Sequence, residues 1–363
     1  MQDGWIVSGY DDEQGITIIL EKNNKSILIE FQPYREDLAC YARTGRFNVV
    51  ARILFAYHLS LNDEERSVVN QIIHIVQSFE ENLFASEINT TIRIRKIQKI
   101  EVEQVLIPEG NNHYYLNPYT GCLIGCHYCY VDERANLSRN MRGLPSAKWG
   151  NYLDIKMNAP KILQEEVKRF APGPVRISPI ITDPYQLAEK KYNITRQCLK
   201  ILLENKFMPI LLTRSTLVLR DIELFKQYSN AIIIGVSIST NQDSVREKFE
   251  PRADSIEKRI QTLKTLYEND IATMVVIQPI LPMDANELVD MIAGYTKLVR
   301  IDKMHNVDSV KKIYIDNEFE YAMSDDYFNS TRETLAVNLK TKGIILDEND
   351  NLSVLAQKLL TEK

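Results

Sequence analysis

Long hydrophobic runs are missing from this 363-residue sequence. The longest apolar candidate, Ala231 to Ile238, has the length of a buried strand and falls far short of the ~20 residues that cross a bilayer. The opening Met1-Gln2-Asp3-Gly4-Trp5 has neither the basic nor the apolar region of a secretory leader, so a cytoplasmic location and no membrane partner are expected. An excess of positive charge is missing too. The 44 Lys and Arg face 49 Asp and Glu, for a net charge of -5. That removes any global attraction for nucleic acid, while leaving room for a local basic groove. Cysteine is scarce: Cys40, Cys122, Cys126, Cys129 and Cys198. An odd number, with three packed into one loop, makes a poor disulfide framework and favours a reducing compartment and a metal site. Short-period repeats and low-complexity segments are also lacking, which excludes solenoid and linker-like chains. What is present is 44% hydrophobic and 26% charged residues, the balance of an ordinary globular chain. The length suits a large barrel plus a smaller unit.

The first hundred residues differ in texture from the rest. Ile16–Leu20 and Ser26–Phe31 read as strands of a hairpin turned at Asn23-Asn24. A helix is expected over Phe47 to Leu59 and another over Asp63 to Phe84, where Val69, Ile72, Val76, Phe79 and Leu83 recur at helical spacing. Asn62 and Glu65 have the spacing of a capping box at the start of the second. Ile92 to Arg95 alternates like a strand. From about residue 112 strands alternate with helices. The strands expected are Leu153–Met157, Val175–Ile181, Met208–Thr213, Ala231–Ile238, Ala272–Ile280 and Lys312–Ile315. The helices between them lie at Ala159–Phe170, Thr195–Asn205, Asp221–Tyr228, Ile256–Asn269 and Asn286–Leu298. Repeated strand–helix units predict a parallel sheet with right-handed crossovers. About six units suit an α/β fold of the partial (β/α)6 barrel type. The expected division is an N-terminal α+β domain over 1–105 for substrate recognition, the barrel over 106–325, and a C-terminal helical extension over 326–363 with a terminal helix at Leu352–Leu360.

Cys122, Cys126 and Cys129 form a C-x3-C-x2-C loop within Asn117-Pro118-Tyr119-Thr120-Gly121-Cys122-Leu123-Ile124-Gly125-Cys126-His127-Tyr128-Cys129-Tyr130. Thiolates are soft ligands for iron–sulfur clusters and zinc. A closed zinc site needs four ligands, and an ordinary ferredoxin cluster needs four cysteines. Three cysteines leave one iron of a cluster open, as a catalytic site requires. The alternative is a zinc knuckle completed by His127 or a remote cysteine. Cys40 and Cys198 read as small buried hydrophobes.

This spacing, with an aromatic between the last two cysteines, resembles the signature of the radical S-adenosylmethionine (SAM) superfamily. Further stretches are similar to its spore photoproduct lyase-like branch: Thr182-Asp183-Pro184-Tyr185-Gln186, Thr213-Arg214-Ser215, Ser237-Ile238-Ser239-Thr240 and Glu250-Pro251-Arg252, within residues 110–300. The resemblance implies one [4Fe–4S] cluster, with SAM bound at its open iron and split reductively to a 5′-deoxyadenosyl radical that abstracts a hydrogen atom from substrate. It further implies that Ser237, Ser239 or Arg252 holds SAM, with Arg252 preferred for bidentate carboxylate contacts. Tyr128, Thr182, Asp183 and Lys156 complete the expected cofactor contacts, and Tyr130 packs beside the cluster or relays a hydrogen atom. Carboxyl ends of strands are where such barrels place their sites.

One departure bears on substrate. The true lyase carries a further cysteine beyond its cluster, and Arg169 to Ile180 has none. A radical enzyme acting on a macromolecule, a peptide or protein rather than a nucleic acid, is the favoured reading. Nucleic-acid modification or repair is the alternative, resting on the basic stretch Arg93, Arg95, Lys96 and Lys99. A non-enzymatic iron–sulfur protein ranks third. No second cysteine cluster follows the barrel, so an external electron donor of the flavodoxin or ferredoxin type is expected.

Overall fold

The computed structural model describes residues 4–12, 15–23, 25–33, 42–44, 47–53, 61–78, 94–110, 112–144, 146–177, 181–347 and 352–361. The chain divides into two compact units, Met1–Lys99 and Ile100–Lys363. Cys40, Arg93, the ends of the helices expected to reach Leu59 and Phe84, and residues 178–180 lie outside the described residues.

In the first unit the strands are β1 (Ile6–Asp12), β2 (Gly15–Lys22), β3 (Lys25–Pro33), β4 (Ala42–Thr44) and β5 (Phe47–Ile53), followed by α1 (Asp63–Ser78) and β6 (Ile94–Ile100). They run in the order β4-β5-β3-β2-β1-β6. The expected hairpin is β2–β3, turning at Asn23, whose φ of 49° suits asparagine. The capping box forms: Asn62 Oδ1 accepts from Glu65 N at 2.9 Å, and Glu65 Oε2 accepts from Asn62 N at 2.9 Å. The expected helix over Phe47–Leu59 is corrected. Phe47–Ile53 is a strand paired with β3 and β4. Phe47, Val49 and Ala51 alternate into the core against Val69, Ile72 and Val76 of α1. Period two had been mistaken for one turn of helix.

The second unit opens with β7 (Leu106–Gly110), β8 (His113–Leu116) and β9 (Tyr119–Thr120), then α2 (Asp132–Asn140), β10 (Tyr152–Lys156), α3 (Ala159–Glu166) and β11 (Pro174–Ile177). It continues with α4 (Glu189–Tyr192), α5 (Ile194–Glu204), β12 (Met208–Thr213), α6 (Ile222–Gln227), β13 (Ile233–Ser237), α7 (Asp243–Phe249), α8 (Ile256–Glu268) and β14 (Ala272–Ile277). Last come α9 (Ala285–Ile292), β15 (Leu298–Ile301), α10 (Val307–Asp316), α11 (Asp325–Thr341), β16 (Ile345–Asp347) and α12 (Leu352–Thr361). The sheet order is β16-β15-β14-β13-β12-β11-β8-β7. Every pair from β8 to β16 is parallel, and β7 adds antiparallel at one edge. This is the open α/β partial barrel, with seven parallel strands among the described residues. Both faces are covered, as a parallel sheet requires. Helices α5 and α8 pack on β12–β14. Against the other face, Ile210, Leu212, Ile233, Met274, Val276 and Leu298 cluster with Leu352 and Ala356 of α12.

Three expectations for this unit are corrected. The strand at 153–157 is β10, which pairs antiparallel with β9 rather than joining the parallel sheet. The first parallel strand is β8, only four residues long. Lys312–Ile315 is helical, within α10, because Val310 and Tyr314 are buried one turn apart. The missing strand is β15, whose Leu298 had been read as the end of a helix. The segment 326–363 is not helical throughout, since β16 adds to the sheet between α11 and α12.

Candidate active site

The cysteine loop leaves β9 through a tight turn. Gly121 has φ 89°, and a Cβ there would lie 2.5 Å from the Tyr152 ring. Gly125 has φ 57°, and a Cβ there would lie 1.9 Å from Arg252 Nη2 and 2.6 Å from Gly150 Cα. Both positions therefore demand glycine. Between them the backbone is held by side chains. Thr182 Oγ1 donates to Gly121 O at 2.6 Å, Gln186 Oε1 accepts from Leu123 N at 2.8 Å, and Arg252 Nε donates to Ile124 O at 3.0 Å. His127 N donates to Phe249 O at 2.9 Å.

The three thiols share an apolar shell with Ile124, Tyr128, Val245, Phe249, Leu281, Val310 and Tyr314. Burial pushes all three up, Cys129 to about 12. Bare, they stay protonated at neutral pH; iron ionises coordinating thiols outright. Among the described residues no group of three His, Cys, Asp or Glu side chains closes on a single ion. Three buried thiols in one apolar shell are a donor set that fits a cluster with one iron left open.

Behind the loop an ion-pair network fixes the strand ends. Glu250 accepts from Tyr128 Oη and from Arg259 Nη2, and Arg214 Nε lies 3.2 Å from Glu250 Oε1. Arg214 Nη2 donates to Tyr128 Oη at 3.1 Å and to Gln278 O at 3.3 Å. Burial alone would raise the Glu250 carboxyl, but Arg259 and Arg214 hold it down at about 2. Asp183 accepts from Thr213 Oγ1 at 2.7 Å, Tyr185 N at 2.9 Å and Arg214 N at 2.9 Å. Ser239 Oγ donates to Gln278 O at 3.2 Å. Lys156 Nζ donates to Asn117 O at 2.7 Å, and burial followed by the nearby Arg142 charge lowers it to about 7.

Two cavities adjoin the loop. A small one of about 50 Å3 is lined by Tyr128, Cys129, Arg214, Ser237, Gln278 and His305 among others. A large cleft of about 1290 Å3 runs past α2 to Leu352 of α12. Tyr130, Leu212, Val276 and Gln278 line both, so the two adjoin. Ser237 Oγ is buried and has no hydrogen-bond partner. The expected site residues therefore separate. Cys129, Tyr128, Tyr130 and Ser237 border the small cavity, whereas Thr182, Asp183, Ser239, Arg252 and Lys156 line neither and brace the loop and strand ends instead. Cys198 is fully buried on α5, away from both. Arg214 was missed as a site residue. Its signal was its place at the carboxyl end of β12, inside a stretch already singled out.

A family model described as the radical SAM superfamily matches residues 116–293. An uncharacterized protein of Methanocaldococcus jannaschii is 36% identical over 212 residues, covering 58% of this chain and 75% of the relative. The chain belongs to the radical SAM superfamily. An uncharacterized protein of Acidianus two-tailed virus is 26% identical over 54% of this chain and 67% of its own length. Among solved structures, a variant of spore photoproduct lyase superposes with a TM-score of 0.50 at 14% identity, covering 70% of this chain and 82% of the lyase. That likeness is one of fold. As a radical SAM enzyme the protein uses a [4Fe–4S] cluster and SAM, and it needs an electron donor and a substrate. The residues present fit both groups: three thiols in an apolar shell for the cluster, and an unpartnered buried hydroxyl beside an arginine for SAM. Among the described residues no helix is long and apolar enough to cross a membrane.

Proposed function

We propose that Cys122, Cys126 and Cys129 hold the cluster, that SAM lies across the small cavity and the adjoining end of the cleft, and that the rest of the cleft takes a segment of a peptide or protein. The observation that carries this reading is adjacency: Tyr130, Leu212, Val276 and Gln278 line both the small cavity beside Cys129 and the cleft. Each thiol would supply one thiolate and leave one iron for the cofactor. Ser237 offers a free hydroxyl, and Arg214, whose Nε and Nη2 are spent on Glu250, Tyr128 and Gln278 O, keeps Nη1 for a single contact to a carboxylate. Bound together and reduced, the two groups supply a 5′-deoxyadenosyl radical. The remaining work belongs to the chain. Leu212 and Val276 keep water from the junction. Tyr130, half-exposed between the cavities, stands where a substrate group must pass. Thr182, Asp183, Ser239, Arg252 and Lys156 act at one remove, by fixing the loop and strand ends, and Tyr128 is anchored by Glu250 and Arg214.

The lining favours a peptide over a nucleic acid. Its four arginines, Arg134, Arg142, Arg176 and Arg300, share the lining with Glu101, Glu103 and Glu109. A phosphate backbone needs uncompensated cations. Arg176 Nε donates to Glu109 at 2.9 Å and Arg300 Nη1 to Asp347 at 3.2 Å, so two of the four are already neutralised. An external flavodoxin- or ferredoxin-type donor and a reducing, cytoplasmic setting complete the reading. The test is anaerobic reconstitution followed by measurement of 5′-deoxyadenosine with peptides and with oligonucleotides. Release stimulated by peptides is expected. No SAM cleavage, or stimulation by oligonucleotides alone, overturns it.

A further inference from the structure

We propose that the cleft-facing side of α2 is a docking strip for a substrate segment carrying two acidic residues with an apolar residue between them. The proposal rests on the peptide reading of the cleft and narrows its substrate class. Helix α2 starts three residues beyond Cys129. It buries one side through Val131, Ala135 and Arg139, as an amphipathic helix does. On another side Tyr130, Arg134, Leu137, Ser138, Met141 and Arg142 recur at helical spacing, and all six line the cleft. Leu137 is 60% exposed and Met141 81% exposed. Single exposed apolar side chains are ordinary. Two of them one turn apart, on the wall of the substrate cleft and continuous with Tyr130, form a patch.

The cations on this strip differ from those deeper in the cleft. Arg134 and Arg142 make no ion pair among the described residues. The Arg134 guanidinium sits 6.0 Å from the centre of the Tyr130 ring, and Arg142 Nη1 donates to Ser138 O at 2.9 Å. The two arginines are eight residues apart, the last two of these lying in the turn that continues α2, so at helical rise they stand about 12 Å apart along the axis. An extended peptide advances about 3.3 Å per residue and returns a side chain to the same face every second residue. Carboxylates at positions i and i+4 then reach both arginines, and the side chain at i+2 faces Leu137 and Met141. Glu101 and Glu103, which also line the cleft, add negative charge that disfavours a polyanion.

The experiment uses the full-length reconstituted protein and fluorescence anisotropy. The probes are fluorescein-labelled Gly-Gly-Glu-Ala-Leu-Ala-Glu-Gly-Gly, the same peptide with Lys for both Glu, and a single-stranded 12-mer DNA. The glutamate peptide is expected to bind and the lysine peptide to bind at least about tenfold more weakly. Arg134→Glu with Arg142→Glu reverses that order, a gain that a misfolded variant cannot give. Leu137→Ser with Met141→Ser weakens the glutamate peptide by about tenfold. Equal binding of the two peptides, an order unchanged by the charge swap, or tighter binding of the DNA that the swap abolishes overturns the proposal. If the peptide results hold while SAM is never cleaved, the enzymatic reading fails and the docking strip stands.

Discussion

Replacing Arg259 by methionine tests the electrostatic frame behind the cysteine loop. Arg259 and Glu250 are each about 1% exposed, and the pair links α8 to the residue that anchors Tyr128. Burial opposes the Glu250 charge, yet the carboxyl falls from its ordinary 4.5 to about 2. Holding the carboxyl that low against burial corresponds to about 3 kcal/mol, supplied by Arg259 first and by Arg214 and Tyr128 with it. Breaking a buried pair by removing one partner costs about 3–5 kcal/mol, because the remaining charge is left in a poor solvent. Because the folded pKa lies below the unfolded one, the contribution is fully present above pH 4.5 and is lost as pH falls toward 2. Trp5 and Trp149 are the two tryptophans, so a Trp5→Phe background makes Trp149 fluorescence report on the second unit alone. Urea unfolding of the metal-free protein at about pH 7 is expected to show Arg259→Met less stable by about 3 kcal/mol. The gap should narrow below pH 4.5, and adding Glu250→Gln should recover part of the loss. A variant as stable as its parent at neutral pH, or a gap that ignores pH, refutes the reasoning.

Gly125→Ala drives a methyl into the Gly150 backbone at a left-handed position, so cluster content, read from iron and from visible absorbance, should fall steeply while the first unit keeps its stability. Cys126→Ala should abolish both the cluster and 5′-deoxyadenosine release, since two thiolates cannot hold a site-differentiated cluster. Cys198→Ala should cost about 1 kcal/mol in unfolding and leave cluster content and SAM cleavage intact; loss of cleavage would show that a radical passes through it. Asn62→Ala removes the capping box of α1 and should cost the first unit about 1 kcal/mol, followed through Trp5, whose Nε1 donates to Glu64 of α1 at 3.3 Å.

The cysteine loop was legible because its chemistry is local: three ligands and two obligatory glycines lie within nine residues. The strand–helix alternation was legible wherever strands carried long apolar runs, as at Met208–Thr213. It failed where strands were short. The first parallel strand, His113–Leu116, and the strand Leu298–Ile301 are four residues each, too few to show a period against helices on either side. Phe47–Ile53 failed for a different reason: Phe47, Val49 and Ala51 alternate, but Val50, Ala51, Leu54 and Phe55 also follow Phe47 in the sequence at helical spacing. Side-chain reach was not legible at all. Arg214 follows the strand β12 and Arg252 follows the helix α7, both in recognisable stretches, and the sequence does not say which bends toward the cavity.

That last point has a physical basis in how a strand end is used. A residue at the carboxyl end of a parallel strand has two available directions, inward to the cavity or sideways to the next loop. Thr182 and Asp183 took the second, spending polar atoms on backbone groups of the loop and of the neighbouring strand end, and Arg252, between α7 and α8, likewise donates to Ile124 O. The loop needs them, because its backbone at Gly121, Leu123 and Ile124 is buried and demands partners. Ser237 is free to face the cavity because the neighbouring peptide groups of its strand are already paired within the sheet. The residues best suited to hold a cofactor here are accordingly the ones whose side-chain atoms the protein leaves unspent, and among the strand-end hydroxyls expected to touch SAM, Ser237 is the one that meets that condition.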